Sequence, residues 1–146
     1  MPVAYEDLEQ AELIVLVGSN TAWCHPVVFQ RIAAAKEQRP SLKVIVIDPR
    51  ATPTCEIADL HLPIKSGTDV WLFNGLLSYL HRHGVEDRAF IEAHTADMAR
   101  ALAVADNTAG ATAAVARLCG MQPNTLQEFY ALFARTPRVI TVFSQG

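Results

Sequence analysis

Two uninterrupted apolar runs set the reading of the first half of the chain. Glu12-Leu-Ile-Val-Leu-Val17 and Lys43-Val-Ile-Val-Ile-Asp48 lack the polar alternation of a strand with one wet face. They predict strands buried on both faces of a parallel sheet. Gly18-Ser19-Asn20 breaks the first run. Pro26 then stands where a helix would begin, with Val27, Ile32 and Ala33 as its inner face, and this helix runs to about Gln38, short of Pro40. A short polar helix or turn over Tyr5 to Gln10 precedes the first strand. Pro49 closes the second, an irregular loop fills 50–60, and His61-Leu-Pro-Ile64 reads as a short third strand that Pro63 confines to an edge or end position.

From Ser66 onward the pattern is mostly helical. Ser66-Gly67-Thr68-Asp69 is a turn and N-cap signature. The helix that follows, to about Arg82, puts Val70, Phe73, Leu76, Leu77 and Leu80 on one face and ends at Gly84. Asp87 caps a helix through His94. Further helices are predicted over Ala96 to Ala105, Ala111 to Leu118, and from a Thr125 cap to Ala134. Arg138-Val-Ile-Thr-Val-Phe143 is a last buried strand. The expected fold is α/β: a Rossmann-like three-layer domain with a mostly parallel sheet of about four or more strands and a helical second half. The strand runs directly into Ser144-Gln145-Gly146, which reads as a fragment cut from a larger polypeptide.

Composition fits one folded domain over residues 1–146: 51% of the residues are apolar and 18% charged, a globular balance. A net charge of −3, from 12 basic and 15 acidic side chains with no basic run, argues against nucleic acid as a partner. Ala111 to Phe133 has the outline of a helix-turn-helix, broken at Gly120. Its second helix carries Gln127 and Glu128 and no Lys or Arg before Arg135, so a packed helix pair is the better reading. No apolar stretch reaches the roughly 18 to 20 residues of a membrane span. The acidic MPVAYEDLEQ start lacks the features of a secretory leader, and three scattered cysteines fit a reducing, cytoplasmic setting. Cys24, Cys55 and Cys119 have no CxxC spacing, so no metal or iron–sulfur site is expected within this chain. No nucleophile–base arrangement is readable, and no catalytic residue is assigned.

The candidate chemistry lies at three predicted strand ends. Gly18-Ser19-Asn20 stands between a buried strand and a helix, where main-chain N–H groups favour a phosphate; a plain tight turn explains it equally well. Asp48 ends the next strand, where an acid can accept both hydroxyl protons of a ribose, with Arg50 near enough to pair with a phosphate. The alternatives are an Asp-Pro turn and a solvated charge. Gly67-Thr68-Asp69 offers a carboxylate able to accept from the ring N–H and amine of guanine, or simply a helix cap. Together the three describe phosphate, ribose and base contacts for one nucleotide. Trp23-Cys24-His25 could reach a cofactor or serve only packing and capping. His81 and His83, two apart on a helix, cannot share a metal, and His61 and His94 read as structural or surface residues.

These segments carry a resemblance. The stretches AELIVLVGSNTAWCHPVVFQRI, KVIVIDPRATPTCEIADLHLPIKSGTDVWLFNGLL and VITVFSQG resemble the molybdopterin oxidoreductases of the DMSO reductase family, and within it look most like the cytoplasmic assimilatory nitrate reductases. The resemblance covers essentially the whole chain. It implies the internal domain that holds one of two molybdopterin guanine dinucleotides. Gly18, Ser19 and Asn20, with Thr21 to Cys24 behind them, match the loop around the dinucleotide phosphates. Asp48, Pro49 and Arg50, with Ala51 and Thr52, match the nucleoside segment. Gly67, Thr68 and Asp69 match the guanine-side loop, and Gln145 and Gly146 match the start of a loop approaching the pterin. The implied parent enzyme carries molybdenum on that cofactor and a 4Fe-4S cluster outside these residues. It takes electrons from a donor protein or domain, works with its remaining domains, and reduces nitrate. A formate dehydrogenase-like enzyme and a stand-alone nucleotide-binding module are the alternatives. The family's Cys-rich cluster motif and its molybdenum-ligand loop are absent from this chain, so the fragment by itself is expected to be inactive.

Overall fold

The computed structural model describes residues 4–144. The chain forms two compact units, one made of the residues up to Pro63 together with the segment from Arg135, the other of Ile64–Ala134.

The first unit holds the sheet. Its strands are β1 (Leu13–Val17), β2 (Lys43–Ile47), β3 (Leu60–Leu62) and β4 (Val139–Phe143). They lie in the order β3-β2-β1-β4, all parallel. Val17 is in register with both Ile47 and Phe143, and Ile47 with Leu62, so the four C-terminal strand ends line up along one edge. The chain steps outward from β1 to β3 and returns to the other flank of β1 as β4. That reversal beside β1 is the topological switch point at which open α/β sheets leave a crevice. All five residues of β1 are buried, as the unbroken apolar run predicts. β4 differs from the expected buried strand. It pairs on one side only and is half-buried, with Phe143 79% exposed, because an edge strand has one neighbour. β3 is the other edge, the position Pro63 predicts; it spans Leu60–Leu62, so Pro63 and Ile64, expected within the strand, lie beyond its end.

Helices α1 (Tyr5–Gln10) and α3 (Pro26–Gln38) pack on the sheet through Leu8, Ile32 and Ala35, with Ala11 just past α1, against Ile14, Leu16, Val44 and Val46. Val27, expected on the inner face of α3, is 64% exposed; the buried stripe is Ile32 and Ala35, with Val28 at its rim. The Arg39 guanidinium donates to the carbonyls of Glu9 and Ala11, fastening the C-terminal ends of the two helices together.

Asp59 fixes the entry to β3. Its N–H donates to Val44 O (2.8 Å), and its carboxylate accepts from Val44 N–H (2.8 Å), Lys43 (3.0 Å) and Lys36. Burial alone would raise its pKa. The hydrogen bonds from Lys36, Val44 and Lys43 outweigh that and hold the carboxyl below its ordinary value. A depressed carboxylate stabilises the fold fully above its unfolded pKa of about 3.9 and loses that contribution as pH falls through the folded value. Acid unfolding of an Asp59→Asn variant should therefore lack the part of the stability loss that wild type shows below about pH 4. Parallel melting curves from pH 7 to pH 2 for the two proteins check this, and identical pH dependences would contradict it.

The second unit is helical: α4 (Asp69–Arg82), α5 (Arg88–His94), α6 (Met98–Ala109), α7 (Thr112–Cys119) and α8 (Pro123–Arg135), the last residue of which falls in the first unit. Asp87 caps α5 by accepting from Phe90 N–H, as expected. Gly120 ends α7 in the left-handed region (φ 74°), where Met121 N–H closes back on Ala116 O (2.8 Å). The buried positions of α4 are Leu72, Gly75, Leu76, Ser78 and Tyr79, not the predicted stripe; Val70 is exposed. This helix is apolar over most of its circumference, so periodicity alone does not fix its inward face. Specific partners fix it: Tyr130 donates to Leu72 O (2.6 Å), Asn74 to Thr108 (3.0 Å) and Ser78 to Asp106.

Candidate functional site

The aligned strand ends of the first unit gather the predicted phosphate and nucleoside residues. Gly18 leaves β1 with φ 54°, a left-handed conformation that glycine adopts without strain. Its N–H donates to Ile47 O (2.8 Å), the residue before Asp48, and its carbonyl accepts from Ser144 Oγ (3.0 Å) at the end of β4. The turn is thus stitched to both flanking strands at the switch point.

Past Gly18 the backbone turns into a single helical turn, α2 (Thr21–Cys24), a break from the predicted start at Pro26. Ser19 and Thr21 are 1% and 0% exposed. Their hydroxyls lie 2.8 Å apart, and Thr21 Oγ1 also donates to Ser19 O (3.3 Å). Both side chains are spent on shaping the turn, so what they offer a ligand is main chain. Among the described residues, the N–H groups of Ser19, Asn20 and Thr21 meet no acceptor. Three successive amides without an acceptor behind a left-handed glycine are donors of the kind that suit an anion such as phosphate. Trp23, Cys24 and His25 follow as an exposed stretch.

Asp48 follows β2 and is 3% exposed. Its Oδ1 accepts from Arg50 N–H (2.8 Å) and lies 3.8 Å from Arg50 Nε; among the described residues Oδ2 is unengaged. A buried carboxylate with one oxygen held and one free suits an acceptor for sugar hydroxyls. Pro49 and Arg50 are exposed, so the Arg50 head group is available to an anion. His61 on β3 places Nε2 2.9 Å from Asp48 O, which steadies the turn that carries the carboxylate.

Thr54 is a residue the sequence reading missed. It lies in a 3₁₀ turn (Pro53–Ile57) inside the segment read as an irregular loop, and it is fully buried. Its hydroxyl accepts from Ala22 N–H (3.1 Å) and donates to Asn20 Oδ1 (3.3 Å), joining the loop after β2 to the loop after β1. The -Thr-Pro-Thr- sequence carries a hint of the turn, since Pro53 opens it, but nothing that pairs Thr54 with Asn20.

The third predicted group belongs to the second unit. Gly67 has φ 79° and nothing near its Cβ position, so its need for glycine is conformational and not steric. Thr68 is the N-cap of α4, yet its hydroxyl donates backward to Lys65 O (2.6 Å) and does not cap the helix. The exposed Asp69 carboxylate has no hydrogen bond among the described residues. Neither side chain is consumed by the capping that offered the alternative explanation. Gln145 and Gly146, expected near a pterin, lie outside the described residues.

Among the described residues no three His, Cys, Asp or Glu side chains converge to hold a metal ion, and no helix is long and apolar enough to cross a membrane.

Comparison with known proteins places the chain in a family. The chain is 43% identical over 146 residues to a nitrate reductase of Klebsiella oxytoca, covering all of this chain and 16% of that protein. It is 30% identical to the F420-dependent formate dehydrogenase subunit alpha of Methanocaldococcus jannaschii, over the whole chain and 21% of that subunit. The acetylene hydratase of Pelobacter acetylenicus shares the fold, with a TM-score of 0.81 at 23% identity over 97% of this chain and 19% of that one. The chain spans about a sixth of the length of the nitrate reductase it matches. Residues 2–139 match the molybdopterin oxidoreductase family, and the chain belongs to that family.

Proposed function

We propose that this chain is the part of a molybdenum-dependent nitrate reductase that holds the nucleotide end of a molybdopterin guanine dinucleotide. The observation that carries the reading is the run of N–H groups at Ser19, Asn20 and Thr21 that meet no acceptor among the described residues, behind left-handed Gly18, with the half-engaged Asp48 carboxylate at the end of the neighbouring strand. Those amides would hold the pyrophosphate. Asp48 Oδ2 would accept from the ribose hydroxyls, with Arg50 adding positive charge at the phosphates. Asp69 would accept from the guanine edge. The guanine-side role of Gly67 to Asp69 and the pterin-side role of Gln145 and Gly146 rest on the family resemblance. When bound, the group supplies two-electron oxygen-atom transfer at its molybdenum, with electrons from a donor protein or domain through a 4Fe-4S cluster elsewhere in the parent. The residues of this chain bind and orient; none is assigned a chemical step.

Nitrate is favoured over formate because the higher identity is to the nitrate reductase. A cytoplasmic setting is part of the proposal, supported by three free cysteines, one of them exposed. The test is the full-length protein. Purified intact, it should contain molybdenum and release guanine nucleotide on acid hydrolysis, and it should convert nitrate to nitrite with a reduced dye as donor. Formate oxidation without nitrate reduction would move the assignment to the formate dehydrogenase-like alternative. Intact protein without molybdenum or guanine nucleotide would refute the proposal. The isolated 146-residue chain is expected to reduce no nitrate.

A further inference from the structure

An asparagine that opens a helix ordinarily turns its side-chain oxygen onto the N–H two or three residues on. Asn20 opens α2 and makes no such bond. The N–H it would take, that of Ala22, goes to Thr54 Oγ1 at 3.1 Å. Thr54 therefore caps α2 from another loop. Ala22 N–H can only donate, so Thr54 Oγ1 accepts there. A threonine oxygen can accept twice, so its own proton needs a separate acceptor; among the described residues Asn20 Oδ1, 3.3 Å away, is the acceptor the buried hydroxyl meets. An amide NH2 cannot accept it, so the oxygen of the Asn20 amide faces Thr54 and the nitrogen faces away. Thr54 is fully buried, so water does not stand in for its hydroxyl. Among the described residues Asn20 Nδ2 has no partner, so both of its protons are available in the loop whose Ser19, Asn20 and Thr21 amides meet no acceptor there.

We propose that Thr54 is the positioning residue of the anion site: by capping α2 in place of Asn20 and taking the Asn20 carbonyl oxygen, it locks the Asn20 amide with its NH2 donating to a phosphate oxygen of the bound dinucleotide. This rests on the function proposed above and adds a side-chain donor and the residue that orients it. Thr54 does not touch the ligand. Without its hydroxyl, the Asn20 oxygen is free to swing back and cap Ala22, which withdraws the donor from the anion.

The test uses the full-length holoprotein. Its readouts are the loss of molybdenum and guanine nucleotide during dialysis against phosphate buffer, and the melting temperature of each variant. Thr54→Val keeps the shape and removes the hydroxyl; it should lose cofactor roughly tenfold faster than wild type. Thr54→Ser should retain it as wild type does. Asn20→Ala should match Thr54→Val, and the double variant should be no worse than either single one, since both changes remove the same donor. Full cofactor retention by Thr54→Val would overturn the proposal. So would normal retention by Asn20→Ala alongside loss in Thr54→Val, because Thr54 would then act through the fold alone. Additive losses in the double variant would also overturn it. If Thr54→Val does not fold, the proposal still stands or falls on Asn20→Ala, whose half-exposed side chain is replaceable without disturbing the core. Wild-type protein that carries no guanine nucleotide would remove the underlying function as well, whereas a loaded wild type with indifferent variants removes only this role for Thr54.

Discussion

A Tyr130→Ala variant should be destabilised by about 3–5 kcal/mol, the usual cost of truncating a buried aromatic ring. Tyr130 and Phe129 are fully buried in the helical unit, and the Tyr130 ring lies 5.5 Å from that of Tyr79. Burial, with Cys119 nearby, pushes its phenol well above the ordinary value, so it remains a donor to Leu72 O throughout the working pH range. The hydroxyl is seated where only a glycine permits it: a Cβ on Gly75 would lie 2.4 Å from Tyr130 Oη and 3.0 Å from Val115 Cγ2. Gly75→Ala gains about 1 kcal/mol of helix propensity. It must displace a ring that is packed on every side, which costs about 1–3 kcal/mol, so the net change should be destabilising. In a Tyr130→Phe background the 2.4 Å clash is gone and the same Gly75→Ala change should be close to neutral. Urea unfolding of the two single variants and the double one measures this coupling. Strict additivity would show that Gly75 and Tyr130 are not locked together as the geometry indicates.

That pair also shows where sequence pattern stops informing. β1 and β2 were legible because five and four consecutive apolar residues admit few other readings, and Gly18 and Asp48 were legible because they end those runs. The parallel arrangement followed from the same unbroken pattern, and the helical second half from its period. The inward face of α4 was not legible: Val70, Leu72, Phe73, Leu76, Leu77 and Leu80 surround the helix. The stripe is chosen by a phenol and two polar pairs contributed from α6 and α8, more than 25 residues away along the chain. The single-turn α2 was hidden for a similar reason. Four residues carry no periodicity, and the side chain that caps them is Thr54, 32 residues beyond Ala22. The burial of β4 was overread, because an apolar run says that a strand favours burial and not how many neighbours it has. At the candidate site the sequence located the loops. It did not distinguish side chains that shape the turn, Ser19 and Thr21, from groups with no partner among the described residues, the amides and Asp48 Oδ2.

Full-length protein carrying Asp69→Ala is expected to lose guanine dinucleotide affinity by roughly ten- to a hundredfold while staying folded. The loss of one charged hydrogen-bonding group is worth about 1.5–3 kcal/mol, and each 1.4 kcal/mol is about a factor of ten in binding. The competing explanation for Asp69 is structural, and the geometry narrows it. Thr68 occupies the N-cap and sends its hydroxyl to Lys65 O, so no cap bond is lost when Asp69 changes. What remains for a structural role is the attraction of a first-turn carboxylate to the helix N-terminus, about 0.3–1 kcal/mol at an exposed position. The two roles therefore move different quantities. A guanine-reading Asp69 lowers molybdenum and guanine nucleotide content at an almost unchanged apoprotein melting temperature. A dipole-pairing Asp69 lowers the melting temperature by a few degrees and leaves the cofactor in place. Asp69→Asn separates them further, since it keeps an acceptor but removes the charge and should fall between wild type and Asp69→Ala in cofactor content. Cofactor content that is full in both variants would eliminate the guanine role, and the discrimination of guanine from other bases would then have to come from residues outside this chain.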